Sequence, residues 1–508
     1  MSVPHDAGAP GGRLLHRLRG GLRLRHHKQV SCARPVERPA LPDVLIVPLQ
    51  QHLGLPAQAL VQAGDRVLKG QRLGEVDCSG GVSVHAPTSG TVRAIEHRPM
   101  SHPSGRSGPC VVIEPDGQDR WCEPSPVTDW QTRQPRDLLD ALCAAGVVGL
   151  GGAVFPTHQK ASLGRVRGTR TLLLNGAECE PYISCDEMLM REEPHRVIEG
   201  ARVLQRACGA EHVILAIEDQ MGAVFDALQQ AVGEATDIEL VKVPAIYPEG
   251  GERQLIQVLT GQEVPADGLP ADLGILVQNV GTAAAVADAV IRGRPLIERY
   301  VTVTGHGVVE PRNLLALIGT PVSHLVHHCG GYRGDADRLV VGGPMMGFTL
   351  RSDSEPVVKA SNCLLVLSAD DLRAPQPEMP CIRCGECARV CPAGLLPQQL
   401  QWQVRTGQWE AAADHHLRAC IECGCCDFVC PSHIPLAAWF RHGKGQLKAQ
   451  ARERAAADHA RERFDARAAR VERQKQEKRE RLAAKKKALR ERSAAKKKTP
   501  VSTEEVRR

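Results

Sequence analysis

A multidomain α/β and α+β protein is the fold class this sequence predicts, and three stretches carry that reading. Residues 40–115 alternate short β-branched runs with Gly/Pro turns, and residues 137–300 alternate apolar strand-like runs with helical periodicity. Nine of the nineteen cysteines crowd between residues 381 and 430. A chain of 508 residues has room for about three to four domains, each with its own core. Its 42% hydrophobic and 24% charged content is that of an ordinary globular protein. No uninterrupted apolar run reaches the ~18–20 residues a membrane helix needs. The nearest, Leu273 to Ala287, carries Gln278 and Asn279 between Asp272 and Asp288, which excludes an integral membrane protein.

The formal charge of +6 conceals a division. Residues 441–508 hold 24 Lys/Arg against 10 Asp/Glu, and residues 1–38 hold 8 against 2, leaving residues 39–440 at −14. A basic protein ordinarily suggests nucleic acid or anionic lipid as partner. Here the basic charge belongs to the two ends and the body is acidic, so no nucleic-acid partner is expected.

Taken in order, residues 1–38 form a basic N-terminal extension. Arg13, Arg17, Arg19, Arg23 and Arg25 occur without an apolar signal region, and Gly11-Gly12 and Gly20-Gly21 interrupt the amphipathic helix that a transit peptide would need. Without an export signal a reducing compartment is expected, and the cysteines are not expected to form a disulfide framework. Residues 39–127 contain Val44–Val47, Ala63–Val67, Val84–Pro87 and Ser89–Val92, evenly punctuated by turns, and predict a small β-domain. Residues 137–300 predict an α/β layer: Thr171–Leu174 and Val213–Ile217 read as buried strands, whereas Leu138–Ala145, Val197–Ala207 and Ala223–Val232 have helical spacing. Residues 301–365 return to β-rich, glycine-punctuated sequence, and residues 366–442 hold the cysteine module. Residues 443–508 are Ala/Lys/Arg/Glu-rich, either a solvated single helix or disordered. Their Lys485–Lys487 and Lys496–Lys498 runs suit anionic headgroups, beside the plainer reading of a solvated tail.

The cysteines carry the sharpest chemical signal. Cys381, Cys384, Cys387 and Cys391 before Pro392 have the same spacing as Cys420, Cys423, Cys426 and Cys430 before Pro431. Three thiolates two residues apart wrap one corner of a cubane, while the fourth, at a helix start, reaches across to the other cluster. One [4Fe–4S] cluster would take Cys381, Cys384, Cys387 and Cys430, the other Cys391, Cys420, Cys423 and Cys426. Structural zinc uses ligands in two pairs, which a duplicated triplet does not match. Cys425 is surplus and reads as a bystander, with substitution for Cys426 the alternative. Leu400–Val404 and Trp409–Leu417, in the longer linker between the motifs, read as helical.

Gly146 to Lys160 form a glycine-rich loop followed by a basic residue. Positions without side chains let backbone N–H groups approach a phosphate, and Lys160 supplies charge. The alternative for such a loop alone is a tight packing turn. It is accompanied by Asn175-Gly176-Ala177-Glu178-Cys179-Glu180-Pro181, Tyr247-Pro248-Glu249-Gly250-Gly251-Glu252 and Gln278-Asn279-Val280-Gly281-Thr282. In this order the segments resemble the NADH- and FMN-binding flavoprotein subunit of respiratory complex I, with a β-grasp (SLBB-like) segment after Val301 around Gly319-Thr320-Pro321 and Gly330-Gly331. Gly64–Gln71 followed by Ala86–Gly90 resembles the biotinyl/lipoyl barrel-sandwich. The turn Asp77-Cys78-Ser79-Gly80-Gly81 lacks the carrier lysine, so a structural relative is expected and not a swinging arm. With Gly20-Gly21-Leu22, His27-Lys28 and Pro48–Gly54 added, the arrangement over about residues 30–440 resembles the C subunits of Rnf (Rsx) ion-translocating electron-transport complexes.

That resemblance implies an FMN/NADH-binding α/β domain and a helical double-[4Fe–4S] ferredoxin module. It places FMN near Gly149, Gly151, Lys160, Asn175, Glu178, Gly250 and Asn279, beside Tyr247 and Thr282. It places the dinucleotide over Gly152, Ala153 and Phe155, with Glu180 and Glu252 near the nicotinamide. Leu150, Ala177, Gly251 and Gly281 stand where the flavoprotein family has charged residues, and no aromatic closely follows Lys160. These departures weaken NADH binding more than FMN binding. A flavin converts between a hydride's electron pair and the single electrons a cluster carries, so the parts imply an oxidoreductase that adapts two-electron to one-electron transfer. The expected setting is a peripheral subunit on the cytoplasmic side of a bacterial inner membrane, with other subunits of an Rnf-type complex as partners. A soluble reductase of the cobalamin-reductase type and an electron relay that binds no nicotinamide are the alternatives.

Overall fold

The computed structural model describes residues 13–234, 237–372 and 376–497. The start of the basic extension and Lys498 lie outside the described residues. Among the described residues four sheets account for the strands: two in the N-terminal β-domain, one in the α/β domain and one after it. The fold is the mixed α/β and α+β assembly expected, ending in a helical region.

In the N-terminal domain, a four-stranded sheet that includes Leu45–Pro48, Gly90–Pro99 and Ser107–Pro115 faces a three-stranded sheet of Gln58–Ala59, Arg72–Glu75 and Val84–His85. Leu45, Val47, Leu73, Val84, Val92, Val111 and Ile113 fill the space between. Alternation along each strand turns these side chains inward.

The α/β domain carries a parallel sheet in the order Ile238–Val243, His212–Glu218, Thr171–Gly176, Ile275–Asn279. Both faces are covered, so the strands read as near-continuous apolar runs. Leu172, Leu174, Val213, Leu215 and Ile217 join one core with helices Pro194–Cys208 and Val280–Val290. Leu173, Ile214, Ala216, Val241 and Val277 join the other, under helix Glu252–Thr260. Gly200 permits the close helix crossing: a Cβ there would stand 1.7 Å from the Ala283 carbonyl oxygen.

The following domain is a five-stranded sheet in the order Arg312–Leu317, Glu298–Thr304, Cys363–Ser368, Ala336–Val341, Phe348–Thr349, with helix Val322–His328 packed on it. Its central pair, Glu298–Thr304 with Cys363–Ser368, is parallel, and the remaining pairs are antiparallel. The cysteine module is built on helices Pro397–Arg405 and Trp409–Asp414 and the first turns of Leu436–Lys497. That last helix runs for 62 residues, and its side chains from 451 to 495 are all exposed. Of the two readings of the tail, the structure shows the solvated helix. No helix among the described residues is long and apolar enough to cross a membrane.

Two departures from expectation matter. Residues 13–38 do not stand off from the body: Leu18 joins the second α/β core, and Lys28 and Ser31 are buried. Leu22 exchanges backbone hydrogen bonds with Tyr247, and the Gly21 N–H donates to Val390 O at 2.9 Å. Charge counting registered the arginines and not the Leu/Gly pattern that laces this arm between domains. The cysteines form no disulfide framework, with seventeen of them free, but one pair departs from that expectation: Cys78 and Cys143 are joined by a disulfide. Folding brings these two cysteines, 65 residues apart, to a Cα separation of 6.0 Å, within the range a disulfide spans.

Candidate functional site

In an open parallel sheet, ligands bind outside the carboxyl ends of the strands, where strand order reverses. Here the reversal lies between Thr171–Gly176 and Ile275–Asn279, and Asn175 and Asn279 are direct register partners at its mouth. The Asn175 side chain donates to Gly250 O at 2.7 Å and accepts from the Ala177 N–H at 3.0 Å. Gly250 is required here, since a Cβ would stand 2.3 Å from Ala177 O. Asn279 caps helix Val280–Val290 by accepting from the Gly281 and Thr282 N–H groups, and donates to Asp186 at 2.6 Å.

The glycine-rich loop closes over this mouth. Gly151 faces the Asn279 side chain, the Leu150 N–H donates to Thr282 Oγ1 at 2.8 Å, and the Gly149 N–H donates to Phe155 O at 2.9 Å. Gly151, Gly152, Ala153 and Phe155 are exposed. Gly152 adopts φ +102° with open space where a side chain would sit. Lys160, in helix Thr157–Val166, forms a 2.6 Å ion pair with Glu252. The sequence-chosen Gly149, Gly151, Lys160, Asn175, Gly250, Glu252, Asn279 and Thr282 therefore meet at one mouth.

Glu178 lies deeper. It accepts from the Asp186 and Glu187 N–H groups at 3.0 and 3.3 Å, with Lys28 Nζ 3.7 Å away. Burial raises its carboxyl above the usual carboxylate range, against the pull of Lys28. Burial, reinforced by Glu218 and Asp219, lifts Glu249 to about 8. Both Glu249 carboxylate oxygens, one of Glu218 and the Gln278 side-chain nitrogen are buried without partners. Beside an open loop of backbone, such unmatched donors and acceptors fit a polar, planar cofactor. Lys28, Asp186, Glu218 and Glu249 were not chosen from the sequence. Glu218 had a signal, a carboxylate closing the apolar strand Val213–Ile217 at its carboxyl end. Lys28 had none that residue chemistry alone supplies.

Glu180 and Tyr247 leave this mouth for a domain junction. Glu180 accepts from the Met345 and Met346 N–H groups at 2.7 and 3.0 Å. Tyr247, buried, donates its hydroxyl to Cys423 O at 2.6 Å. Cys179, Leu22, Leu24, Met345 and Val390 pack around Tyr247, Cys423 and Cys425. The α/β domain thus touches the cysteine module at its second triplet.

The two triplets share one backbone. Arg383 and Gly385 have φ of 56° and 81°, Glu422 and Gly424 of 58° and 76°. These left-handed residues turn the chain around the sulfurs. Cys391, Cys420, Cys423, Cys425 and Cys426 line a single cavity with Ile421, Ala437 and Phe440. Ser432 beside Cys430 is tied to the start of the first triplet, accepting from the Met379 N–H at 2.9 Å and donating to Pro380 O at 3.0 Å. Amides of Arg383, Leu395 and Glu422 point at Cys381, Cys391 and Cys420 sulfurs, each at 3.4 Å. N–H donors of this kind tune a cluster's potential. Eight thiols on two duplicated turns suit iron–sulfur ligation and not the paired ligands of structural zinc.

Comparison with known proteins follows this division. Residues 16–118 match the RnfC barrel sandwich hybrid domain, 142–288 the Nuo51 FMN-binding domain, 300–349 the SLBB domain and 380–434 a 4Fe-4S dicluster domain. The C subunit of the ion-translocating oxidoreductase complex of Pseudomonas aeruginosa is 49% identical over 90% of this chain and 59% of its own length. The protein of the same name from Vibrio cholerae is 44% identical over 91% of this chain and 60% of its own. The chain thus spans about three fifths of the length of these curated relatives. A solved NAD+-reducing [NiFe]-hydrogenase in the H2-reduced state aligns with 64% of this chain and 63% of its own, at 20% identity and a TM-score of 0.43.

Proposed function

We propose that the chain is a C subunit of an ion-translocating oxidoreductase complex, the name its relatives carry, and that it transfers electrons between NADH, by way of FMN, and two [4Fe–4S] clusters, and onward to partner subunits. The observation that carries the reading is the contact of Tyr247 with Cys423, which sets the mouth framed by Asn175 and Asn279 against one duplicated cysteine turn. Gly149, Gly151, Gly152, Ala153 and Phe155 would cover FMN and the dinucleotide, with Lys160, Asn175, Glu178, Gly250, Glu252, Asn279 and Thr282 around the flavin. Lys160 and Glu252, already paired, orient one another at its edge. A bound flavin supplies the conversion between an electron pair and single electrons. Cys381, Cys384, Cys387 and Cys430 would hold one cluster, and Cys391, Cys420, Cys423 and Cys426 the other. No side chain need act as general acid or base.

The reading places the chain as a peripheral subunit on the cytoplasmic side of a bacterial inner membrane. Lys485–Lys487, exposed on the long helix, are suited to anionic headgroups. One observation favours the relay alternative: Glu180, implied near the nicotinamide, is engaged by Met345 and Met346. An anaerobic titration of the cluster-reconstituted, FMN-supplied chain separates the two. Bleaching of the flavin by NADH, followed by EPR signals of reduced clusters, supports the adaptor. Cluster signals with dithionite but no flavin bleaching with NADH would make the chain a relay.

A further inference from the structure

Outside the sites described, a cluster of reactive side chains lies where three segments meet. Cys78 is exposed at the turn between strands Arg72–Glu75 and Val84–His85, and Cys143 is buried in helix Pro135–Ala144. One ring nitrogen of His158 and both sulfurs lie within 4.8 Å of one another. His158 Nε2 stands 2.8 Å from the Cys78 carbonyl oxygen, which can only accept, so Nε2 carries the proton. Nδ1 is then a free lone pair, and it is buried without a partner. Burial also holds the imidazole below its ordinary value, so it stays neutral and able to take a proton.

The turn is a clasp on the glycine-rich loop. Gln159 donates to Cys78 O at 2.8 Å, so two consecutive residues of helix Thr157–Val166 grip the turn's backbone. That helix starts where the loop ends and carries Lys160. From the same β-domain the Leu53 N–H donates to Val154 O at 3.2 Å, and Val154 is held at φ +43°, a conformation a β-branched residue adopts only under constraint. Hydrogen bonds alone would leave this clasp free to open; the bond from Cys78 to Cys143 ties the same turn covalently to helix Pro135–Ala144, which leads directly into the glycine-rich loop.

We propose that Cys78, Cys143 and His158 form a reversible thiol–disulfide switch that fastens the N-terminal β-domain to the glycine-rich loop. The oxidant is a low-molecular-weight disulfide such as oxidised glutathione. The exposed Cys78 thiolate attacks it, forming a mixed disulfide and releasing one glutathione thiolate. The Cys143 thiol then gives its proton to His158 and attacks the Cys78 sulfur, expelling the second glutathione. The products are one protein disulfide and two molecules of reduced glutathione, so two electrons and two protons have passed from protein to oxidant. Only the consequence for a cofactor rests on the flavin reading; the switch itself does not.

The test uses the full, cluster-reconstituted chain equilibrated anaerobically in buffers of varying reduced-to-oxidised glutathione. Differential alkylation with peptide mass spectrometry reports Cys78 and Cys143, and hydrogen exchange reports the amides of 149–155. The two thiols are expected to disappear together, with the loop amides exchanging about tenfold more slowly in the oxidised form. Cys143→Ser is expected to hold exchange at the reduced rate in every buffer, and His158→Gln to slow pairing without abolishing it. Thiols that alkylate independently, that retain stoichiometric zinc in place of pairing, or that pair without changing loop exchange would overturn the proposal. FMN binding, read separately by flavin fluorescence, tests the site's own reading, so its failure is distinguishable from failure of the switch.

Discussion

The two cysteine turns are the same local structure in different surroundings. Each wraps its sulfurs with a left-handed residue two positions after the first cysteine and a left-handed glycine after the second. In the first turn Cys381 and Cys384 are exposed, with Ile382 and Met379 open to solvent at 68% and 54%. In the second, Cys423 and Cys426 are buried, under Tyr247 and Phe440. Sequence spacing dictates the cradle, because it depends only on a few neighbouring dihedral angles. Tertiary packing dictates the solvent and the neighbours, and those decide potential and reactivity. The difference gives the pair a direction: an inner site against the α/β domain and an outer one at the surface.

The hardest test of that division is to remove one ligand from each site. Cys384→Ala and Cys423→Ala should each reduce iron from about eight to about four atoms per chain, as expected for independent cubanes. They should differ in what else is lost. Cys423→Ala empties the inner site, so electrons delivered from the flavin side should no longer reach the outer cluster. Cys384→Ala should leave inner-cluster reduction intact. Iron and sulfide analysis with EPR of the NADH- and dithionite-treated variants reads both. Equal behaviour of the two variants would remove the inner and outer distinction.

The inner side also has a titrating neighbour. Glu249 lies two residues from Tyr247, and burial lifts its carboxyl from 4.5 to about 8. The folded chain therefore keeps a proton that the unfolded chain gives up from pH about 4.5. Stability present below that value is lost as the pH rises through about 8. Glu249→Gln keeps the neutral shape and should flatten this dependence. Denaturation midpoints of the cofactor-free chain should diverge between variant and parent from pH 5 to pH 8.5, with the variant the more stable at the upper end. Parallel curves would show that Glu249 reaches water.

A smaller perturbation isolates the domain contact. Tyr247→Phe keeps the ring and removes one hydroxyl, leaving Cys423 O unmatched at a buried junction. A lost buried hydrogen bond of this kind costs about 1–2 kcal/mol. Both clusters should still assemble, while proteolysis of the junction between the α/β domain and the cysteine module should quicken.

The same contrast explains what could be read from the sequence. The cysteine turns, the glycine-rich loop and the apolar strand runs were legible because each is a pattern among near neighbours. Asn175 and Asn279 were recognisable through their segments, but their pairing across the point of strand reversal is a fact of sheet order. Glu180 shows a related limit: its segment resembles a binding pattern, and only folding shows that its carboxylate accepts from two amides of another domain. Lys28 was hidden by its company, a basic residue in a basic stretch. Only folding shows that it is buried 3.7 Å from Glu178 and from Glu218. Cys78 and Cys143 were invisible as a pair because they stand 65 positions apart and only the docking of the hairpin against helix Pro135–Ala144 brings them together.

The smallest expected effect concerns Cys425, and the duplication decides it. Cys426 follows Gly424 by two positions, as Cys387 follows Gly385. The counterpart of Cys425 in the first turn is therefore Glu386, a residue that pairs with Arg389 at 3.1 Å. Cys425 is fully buried and lines the same cavity as Cys423 and Cys426, so position alone does not separate ligand from bystander. The repeated backbone does: a sulfur at the position of Glu386 is absent from the first turn, whose own set is complete without it. Cys425→Ala should keep about eight iron atoms per chain and change stability by about 1 kcal/mol, the cost of trimming one small buried side chain. Cys426→Ala should lose the inner cluster. If the losses fall the other way, Cys425 is the ligand, and the two turns differ in covalent chemistry as well as in burial.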